Sequence, residues 1–352
     1  MDIDPQTHLL HSQNFTYFSF FSELHYWNHA TTIVETLAIS TVFLVSVVTN
    51  AGAAALVTWE RRLPANKTIL TLNLFVADLL FVSMVPLIVA VRWTGSWTLG
   101  FAACHSVLYV ICMSGCATVT TLASISVERL QAILRLQTTP TLNPKMVAVT
   151  LIFIWAFSAL TALPTSLFFT VIEVDFTEQE DVHICTLKWP DPTGEIVWNV
   201  SFTALCFLLP GLIIVVSYSK ILQIAKKSKR RLQRRGSQPP LGGSPEYHVS
   251  RQDMKLFRTL LFLVLSFLLM WSPIFIITFL IMARNLSSSH LHVSSTMFFW
   301  VTTFTLTNSA LNPILYSLCQ YRNSGRKFCC GSAVAPLRGD TCSSGQRQTT
   351  HQ

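Results

Sequence analysis

Charged residues are scarce in this sequence of 352 residues, and their scarcity sets its class. They make up 12 % of the chain, about half of the 25 % usual in soluble globular domains. Hydrophobic residues make up 51 %, and the mean hydropathy is +0.47. Too little polar surface remains to cover the two or so domains that a soluble chain of this length would form. A soluble multidomain enzyme is therefore disfavoured.

Basic residues are absent from residues 1–31 and unevenly spread over the rest. Seven apolar runs are each long enough, at about 1.5 Å per residue, to cross a bilayer core. We predict spans near residues 32–59, 68–92, 101–134, 146–172, 195–225, 254–283 and 293–318. With the N-terminus outside, 22 of the 25 Lys and Arg lie on the cytoplasmic side, in agreement with the positive-inside rule. The net charge of +8 is therefore explained by the orientation of the spans in the membrane. This distribution of basic residues argues against a nucleic-acid partner.

The pattern predicts an all-α membrane protein, a seven-transmembrane helix bundle with a short amphipathic eighth helix. Residues 1–31 form an extracellular tail, and residues 32–320 form the seven-span domain. Residues 321–331 form the amphipathic helix at the inner membrane surface, and residues 332–352 form a cytoplasmic tail. The start of the chain lacks a basic n-region, so we expect no cleaved signal peptide.

The cysteines and one sequon carry predictions of covalent modification. Cys104 at the outer end of the third span and Cys185 in the second outer loop are best placed for oxidation, and we predict that they form a disulfide. Asn14 begins an Asn-Phe-Thr sequence in the outer tail and is a predicted glycosylation site. Cys329 and Cys330 follow a basic stretch beyond the last span, a setting typical of S-palmitoylation, with two reduced thiols as the alternative.

Ionisable residues inside spans are costly and need a reason. Asp78 lies in the middle of the second span, and the polar residues Thr118, Asn308 and Asn312 lie in other spans. These residues predict a site for Na⁺, with a protonated Asp that only links helices as the alternative. Glu35 lies near the outer end of its span, and we expect it to snorkel to the interface.

The cytoplasmic ends of the third and sixth spans carry adjacent opposite charges. Glu128 and Arg129 end the third span, and Asp253 lies at the start of the sixth. An Arg129 held by these acids is a candidate for a releasable latch between helices. An ordinary interfacial charge cluster is the alternative.

Residues at many spaced positions carry a family resemblance. They are, in chain order, Asn50, Leu74, Ala77, Asp78, Trp97, Cys104, Glu128, Arg129, Trp155, Pro210, Tyr218, Phe267, Trp271, Pro273, Asn312, Pro313 and Tyr316. With this set the sequence resembles the rhodopsin-like (class A) G-protein-coupled receptors, from the first span to the end of the seventh. The resemblance implies that Arg129, Tyr218 and Tyr316 rearrange when the sixth span swings outward to admit a G protein. Leu130 stands where the family usually has Tyr, which puts the G-protein contacts in doubt.

The predicted activation switch combines several positions of this set with Asp253. Its residues are Glu128, Arg129, Tyr218, Asp253, Phe267, Trp271, Pro273, Asn312, Pro313 and Tyr316.

The ligand class is narrowed by two absences. Ile111 stands where amine receptors of the family carry an Asp, and the seventh span has no Lys for retinal. The outer half is rich in aromatic residues, and Arg92 lies at the outer end of the second span. Since an Arg pairs well with a carboxylate, we predict a ligand with an anionic head and a long apolar body. The alternative is an Arg92 that only snorkels or stacks on Trp93 or Trp97.

Stretches such as 89–94 and 216–224 resemble receptors for long-chain free fatty acids within the same family. This narrower resemblance implies activation by medium- to long-chain fatty acids, polyunsaturated omega-3 acids included, and a lid formed by Phe20 and Phe21. It also implies coupling to the G protein Gq, with Gi as a second partner. The predicted ligand-binding residues are Arg92, Trp97, Trp198, Phe202, Trp271, Phe298, Phe299 and Phe304.

The cytoplasmic tail carries five hydroxyl residues that receptor kinases could phosphorylate: Thr341, Ser343, Ser344, Thr349 and Thr350. Phosphate adds charge that arrestin reads through basic patches, and a solvated tail without regulation is the alternative. We expect a multi-pass protein of the plasma membrane that reaches endosomes after internalisation.

Two other functions compete with a fatty-acid receptor. The second outer loop is acidic, which would suit a basic peptide ligand as well as a solvated loop. A transporter or an intramembrane enzyme would need repeated halves, a metal-binding motif or a catalytic pair, and the sequence shows none of these. We therefore expect a non-enzymatic protein without a cofactor other than Na⁺.

Overall fold

The computed structural model describes residues 10–12, 15–21, 23, 29–60, 65–134, 144–177, 180–234, 251–287 and 293–331. Its α-helices are α1 (His29–Glu60), α2 (Ala65–Val82), α3 (Val85–Thr94), α4 (Gly100–Leu134), α5 (Pro144–Phe168), α6 (Pro192–Thr203), α7 (Leu209–Arg234), α8 (Arg251–Ser287) and α9 (Ser295–Gly331). Two antiparallel hairpins join β1 (Leu10–Ser12) to β2 (Phe15–Tyr17) and β3 (Phe169–Thr177) to β4 (Glu180–Leu187).

The seven-span helix bundle is confirmed. Six stretches are long and apolar enough to cross a membrane: His29–Trp59, Thr68–Thr94, Gly100–Leu134, Pro144–Phe168, Pro192–Ile224 and Val264–Leu286. Helix α9 packs between α1 and α8 and supplies the seventh predicted span. Residues 321–331 are helical, as predicted for an eighth helix, but they continue α9.

The second span is bent between α2 and α3. Pro86 has no N–H to continue the helical hydrogen bonds, so the chain makes a turn at Ser83 and Met84 and restarts with the proline in its first turn. The Ser83 hydroxyl donates to the Leu80 carbonyl at 2.6 Å and closes the turn. This bend directs α3, and with it Arg92, along the outer end of α1.

The fifth span contains a π-helical turn, Ala204–Leu208, between α6 and α7. The Leu209 N–H bonds back to the Ala204 carbonyl, and Pro210 follows without an N–H of its own. The wider turn places Cys206 and Phe207 in the buried interior.

The fourth span ends earlier than the sequence predicts. We expected it to continue to residue 172, but helix α5 ends at Phe168, and Phe169 pairs with Leu187 in the β3–β4 hairpin. The β-branched residues that follow, Val171 and Ile172, read as span residues by hydropathy and instead continue the strand. The predicted disulfide is confirmed, and it joins Cys104 of α4 to Cys185 of β4.

Candidate functional site

A cavity lies in the outer half of the bundle, among α4, α6, α8, α9 and the β3–β4 hairpin. Ten of the described residues that line it are aromatic: Tyr17, Phe18, Phe20, Phe81, Phe169, Trp198, Phe202, Trp271, Phe275 and Phe298. The polar lining residues are Thr165, Thr186, Glu195, Asn199, Thr203, Thr278, Asn285, Thr302 and Thr305. Ligand sites are typically concave and mostly apolar, with a few polar groups that orient the ligand. This cavity has that character.

Four of the eight predicted ligand-binding residues line the cavity, namely Trp198, Phe202, Trp271 and Phe298. The other four lie elsewhere. Trp97 packs against Phe21 of the tail at 5.0 Å between ring centroids, and Phe299 lies below Arg92. Phe304 is 42 % exposed and stands apart from the cavity lining, so its assignment to the site receives no support from the geometry.

The floor of the cavity is a stack of aromatic rings on helix α8. Trp271 stacks on Phe267 at 5.4 Å and on Phe81 of α2 at 5.2 Å. The Trp271 ring also lies directly against the backbone of α4, because a Cβ atom added to Gly115 would overlap it. A ligand that reaches the floor therefore meets a side chain wedged between three helices.

The wall of the cavity continues as a chain of ring contacts. Trp198 stacks on Phe202 at 5.1 Å, and Phe275 lies 6.3 Å from Phe202 and 4.7 Å from Phe207. Phe275 was not among the predicted site residues. The sequence could have indicated Phe275 as a site residue, because it follows Trp271 by four residues and therefore lies on the same face of the helix.

The N-terminal tail forms the roof. Phe18 packs edge-on against Phe298 at 5.8 Å, and Phe20 contacts Phe298 and Phe169, both at 5.3 Å. The Thr186 hydroxyl donates to the Phe18 carbonyl at 2.9 Å and ties the tail to strand β4. Of the two residues predicted to form a lid, Phe20 lines the cavity and Phe21 does not.

Glu23 fixes the tail at its other end. Its carboxylate accepts hydrogen bonds from the Ser19 hydroxyl at 2.5 Å and from the Cys185 N–H at 2.9 Å. Burial raises the pKa of the Glu23 carboxyl above its ordinary value of 4.5, because a charged carboxylate loses its hydration there.

Arg92 forms an ion pair with Glu35 of helix α1, and both side chains are buried. The expectation that Glu35 snorkels to the interface is wrong, because Glu35 is fully buried and faces the guanidinium. The Arg92 side chain also lies 4.8 Å above the Phe299 ring and stands apart from the cavity lining. Its role as carboxylate anchor stays a prediction.

The polar core brings together three of the four predicted Na⁺-site residues. Asp78 accepts hydrogen bonds from the Thr118 hydroxyl at 3.2 Å and from the Asn312 amide at 2.8 Å. Asn308 lies aside, with its amide 3.8 Å from the Met270 sulfur. The Asn312 Oδ1 atom is buried and has no hydrogen-bond partner among the described residues.

Three free cysteines, Cys112, Cys116 and Cys206, lie in the interior of the bundle, and Cys112 lines the cavity. Cys116 and Cys206 are buried, and their sulfur atoms lie 2.8 Å apart. Thr161 lies within hydrogen-bond reach of both sulfurs. These residues join α4, α5 and the π-helical turn.

The predicted switch residues are only partly described. Arg129 lies 3.6 Å from Glu128, and both side chains are largely buried, as is Tyr218. Near Pro273, which lies inside α8, the Thr305 hydroxyl donates to the Met270 carbonyl at 3.0 Å and ties α9 to α8. Pro313 lies inside α9. The side chains of Asp253 and Tyr316 lie outside the described residues.

The predicted modification sites also lie outside the described part of the chain. This applies to Asn14 and to the tail residues Thr341, Ser343, Ser344, Thr349 and Thr350. Cys329 and Cys330 belong to the described backbone of α9, but their side chains do not belong to the described part.

Comparisons with known proteins agree with this geometry. Residues 49–316 match the family model described as 7 transmembrane receptor (rhodopsin family). The chain is 45 % identical to the free fatty acid receptor 4 of Mus musculus over 331 residues, which are 92 % of this chain and 90 % of that receptor. The receptor of the same name from Rattus norvegicus is 45 % identical over 324 residues, 90 % of this chain and 88 % of that receptor. The somatostatin receptor type 5 of Rattus norvegicus is 28 % identical over 270 residues, 74 % of this chain and 67 % of that receptor.

Proposed function

The chain belongs to the rhodopsin family of seven-transmembrane receptors, and on that basis we propose that it is a receptor for medium- to long-chain free fatty acids. It is a receptor and not an enzyme. The relatives that share 45 % of its residues over most of their length are named free fatty acid receptor 4, which supports this ligand class. Polyunsaturated omega-3 acids belong to the proposed ligands.

The observation that carries the proposal is the aromatic cavity. Ten of the described residues that line it are aromatic, which suits the apolar chain of a fatty acid. Each buried CH₂ group of an acyl chain contributes about 0.8 kcal/mol. A long chain therefore gains most of its affinity from this wall, and a short-chain acid gains little.

Signal transmission starts at the cavity floor in this proposal. A chain that reaches Trp271 pushes on Phe267 and shifts α8 about Pro273. The ligand shifts an existing equilibrium toward the state with α8 swung outward. Release of Arg129 from Glu128, with Asp253, Tyr218 and Tyr316 as partners, then opens the cytoplasmic side for the G protein.

We propose Gq as the principal G protein, Gi as a second one, and arrestin as the partner of the phosphorylated tail. The protein resides in the plasma membrane, with its N-terminus outside and its C-terminus in the cytoplasm, and enters endosomes after internalisation. Glycosylation of Asn14, palmitoylation of Cys329 and Cys330, and phosphorylation of the tail by receptor kinases are part of the same proposal.

The polar core suits an allosteric Na⁺. The side-chain atoms that would coordinate the ion are oxygens, which a hard cation prefers. The Asn312 Oδ1 atom, which has no hydrogen-bond partner among the described residues, offers a further ligand beside Asp78. Asp78, Thr118 and Asn312 would hold the ion, which would neutralise the buried carboxylate. Asn308 would need to turn away from Met270 to take part.

The test is calcium mobilisation in cells that express this chain, challenged with short-, medium- and long-chain fatty acids and with cationic peptides. We expect potency to rise with chain length and peptides to be inactive. Trp198→Ala should weaken the response to long-chain acids, and Phe153→Ala, a change to an exposed ring remote from the cavity lining, is the matched control. A response to peptides alone, with every fatty acid inactive, would contradict the proposal.

A further inference from the structure

No cationic side chain belongs to the described lining of the aromatic cavity. Among the described residues that line it, Glu195 is the one carboxylate, and neither Lys nor Arg is present. A fatty acid carries a carboxylate, whose burial without a cation or hydrogen-bond donors is costly. Charge pairing therefore favours a head group at the edge of the cavity, beside a positive charge that the described lining does not include.

Arg284 lies at such an edge. It precedes Asn285, a lining residue at the outer end of α8, and its guanidinium carbon lies 5.4 Å from the centre of the Phe18 ring. Phe18 lines the cavity and packs against Phe298. The cation and the cavity are thus separated by a single ring of the tail.

Few of the described residues use the hydrogen-bonding capacity of Arg284. Its Nη1 atom donates to the Val293 carbonyl at a long 3.4 Å, and its buried Nε atom has no hydrogen-bond partner among the described residues. Within the same part of the chain, no carboxylate forms a salt bridge with it. An arginine that presents free donors beside an apolar cavity is suited to bind a carboxylate through paired hydrogen bonds.

Arg92 differs in both respects. It is buried against Glu35 and stands apart from the cavity lining. A ligand carboxylate that bound Arg92 would displace Glu35 and leave that carboxylate buried without its partner, which is strongly unfavourable.

We propose that Arg284 is the residue that binds the fatty-acid carboxylate, at the outer mouth of the cavity and beside Asn285. This inference rests on the proposed function and deepens it. Glu195 lies on the opposing helix α6 and is occupied by a side-chain hydrogen bond with Asn285. From Asn285 to the floor at Trp271, helix α8 rises about 21 Å, a length that suits an extended long acyl chain.

The test compares ligands that share one chain and differ in the head group. Linoleic acid, methyl linoleate and linoleyl alcohol are assayed by G-protein dissociation on wild-type receptor and on Arg284→Gln, Arg284→Lys and Arg92→Gln at matched surface expression. We expect Arg284→Gln to lower the potency of the acid by about 10- to 100-fold, the range for a lost charge-assisted hydrogen bond. The ester and the alcohol should keep their potencies in this variant, and Arg284→Lys should retain part of the preference for the acid.

The outcomes separate the inference from the function it rests on. An unchanged ratio of acid to ester potency in Arg284→Gln would overturn the inference while the wild-type response upholds the proposed function. A loss confined to the acid in Arg92→Gln, with Arg284→Gln unaffected, would overturn it in favour of Arg92. A wild-type receptor that responds to none of the three ligands would overturn the proposed function and the inference together. Competition against a fluorescent fatty acid on purified receptor gives the same comparison without signalling.

Discussion

Two sides of the outer half of the bundle each contain an arginine next to an aromatic ring, and they differ in the partner of that arginine among the described residues. On the closed side, which consists of Glu23, Glu35 and Arg92, two acids and one cation are buried together, and the guanidinium has a carboxylate partner. On the cavity side, Arg284 lies above Phe18, and the Val293 carbonyl is its hydrogen-bond partner among the described residues. Each arginine sits over a phenylalanine ring, so the local geometry is alike. The difference lies in whether the described residues provide a counter-charge, and an arginine that has none among them is the better candidate to bind an anionic ligand.

Substitutions on the closed side should have the largest effect on stability. Removal of one partner from a buried ion pair leaves an uncompensated charge and costs about 3–5 kcal/mol. Arg92→Met and Glu35→Leu should therefore each lower the thermal stability of the purified receptor strongly. The double variant should recover most of the loss, because two apolar side chains of similar volume need no counter-charge. Single variants as stable as the wild type would show that the ion pair does not contribute to the stability of the receptor.

The cavity floor offers the second test. Gly115→Ala forces the Trp271 ring away from α4, and overpacking of this kind costs about 1–3 kcal/mol. We expect lower thermal stability and a weaker maximal response to fatty acids, because the ring that the ligand must move is displaced in advance. Gly211→Ala is the matched control, since its added Cβ would meet only a Leu268 methyl at 3.5 Å. Equal behaviour of the two variants would contradict the wedged position of Trp271.

Substitutions in the cavity wall should have a smaller effect on ligand potency. They also distinguish between two predicted site residues, Phe298 and Phe304. Phe298→Leu removes ring contacts to Phe18 and Phe20, and an aromatic pair contributes about 0.5–1.5 kcal/mol. The potency of a long-chain acid should fall about three- to tenfold. Phe304→Leu should leave it unchanged, because Phe304 is half exposed and stands apart from the lining. Equal losses in a dose-response assay would place Phe304 back in the site.

The smallest effect concerns pH and the closed side. The pKa of Glu23 is raised in the docked tail, so this carboxyl binds a proton more tightly there than in an undocked tail with the ordinary value of 4.5. Its contribution to docking is thus fully present below pH 4.5 and is lost as pH rises through the raised pKa. Hydrogen exchange of residues 15–21, corrected for the intrinsic pH effect, should be slower in mild acid than at neutral pH. Glu23→Gln should abolish this dependence, and a persistent dependence would assign it to another group.

Hydropathy and charge were sufficient to predict the spans, but not the faces that they turn to one another. The positions of α1 and α4 follow from the apolar runs, because length and composition alone decide whether a helix can cross a membrane. Phe298, Phe299 and Phe304 were equivalent in sequence, yet one lines the cavity, one supports Arg92 and one is half exposed. In a helix that is apolar on every side, periodicity does not fix the rotation.

The same limit explains the assignments of Glu35, Arg92 and Arg284. Glu35 and Arg92 were each recognised as charges at the outer ends of spans, but their pairing depends on the bend at Pro86 that turns α3 toward α1. Arg284 is one of the three basic residues that the predicted topology leaves on the outer side, and the sequence does not single it out, because its closeness to the cavity depends on a tail that folds back over the bundle. The disulfide was predictable, since only two cysteines stood at the outer face in matching positions.

The roof made by the tail has a consequence for the duration of a signal. Phe18 and Phe20 close over the cavity, and Glu23 and Thr186 fasten them to a hairpin that the disulfide holds to α4. A ligand beneath this roof leaves faster when the tail lifts or when neighbouring helices part. The dissociation rate then depends on how often residues 18–21 undock as well as on the contacts with the ligand. Loss of the hydrogen bond from Thr186 or of those to Glu23 would therefore shorten the time that a ligand stays bound.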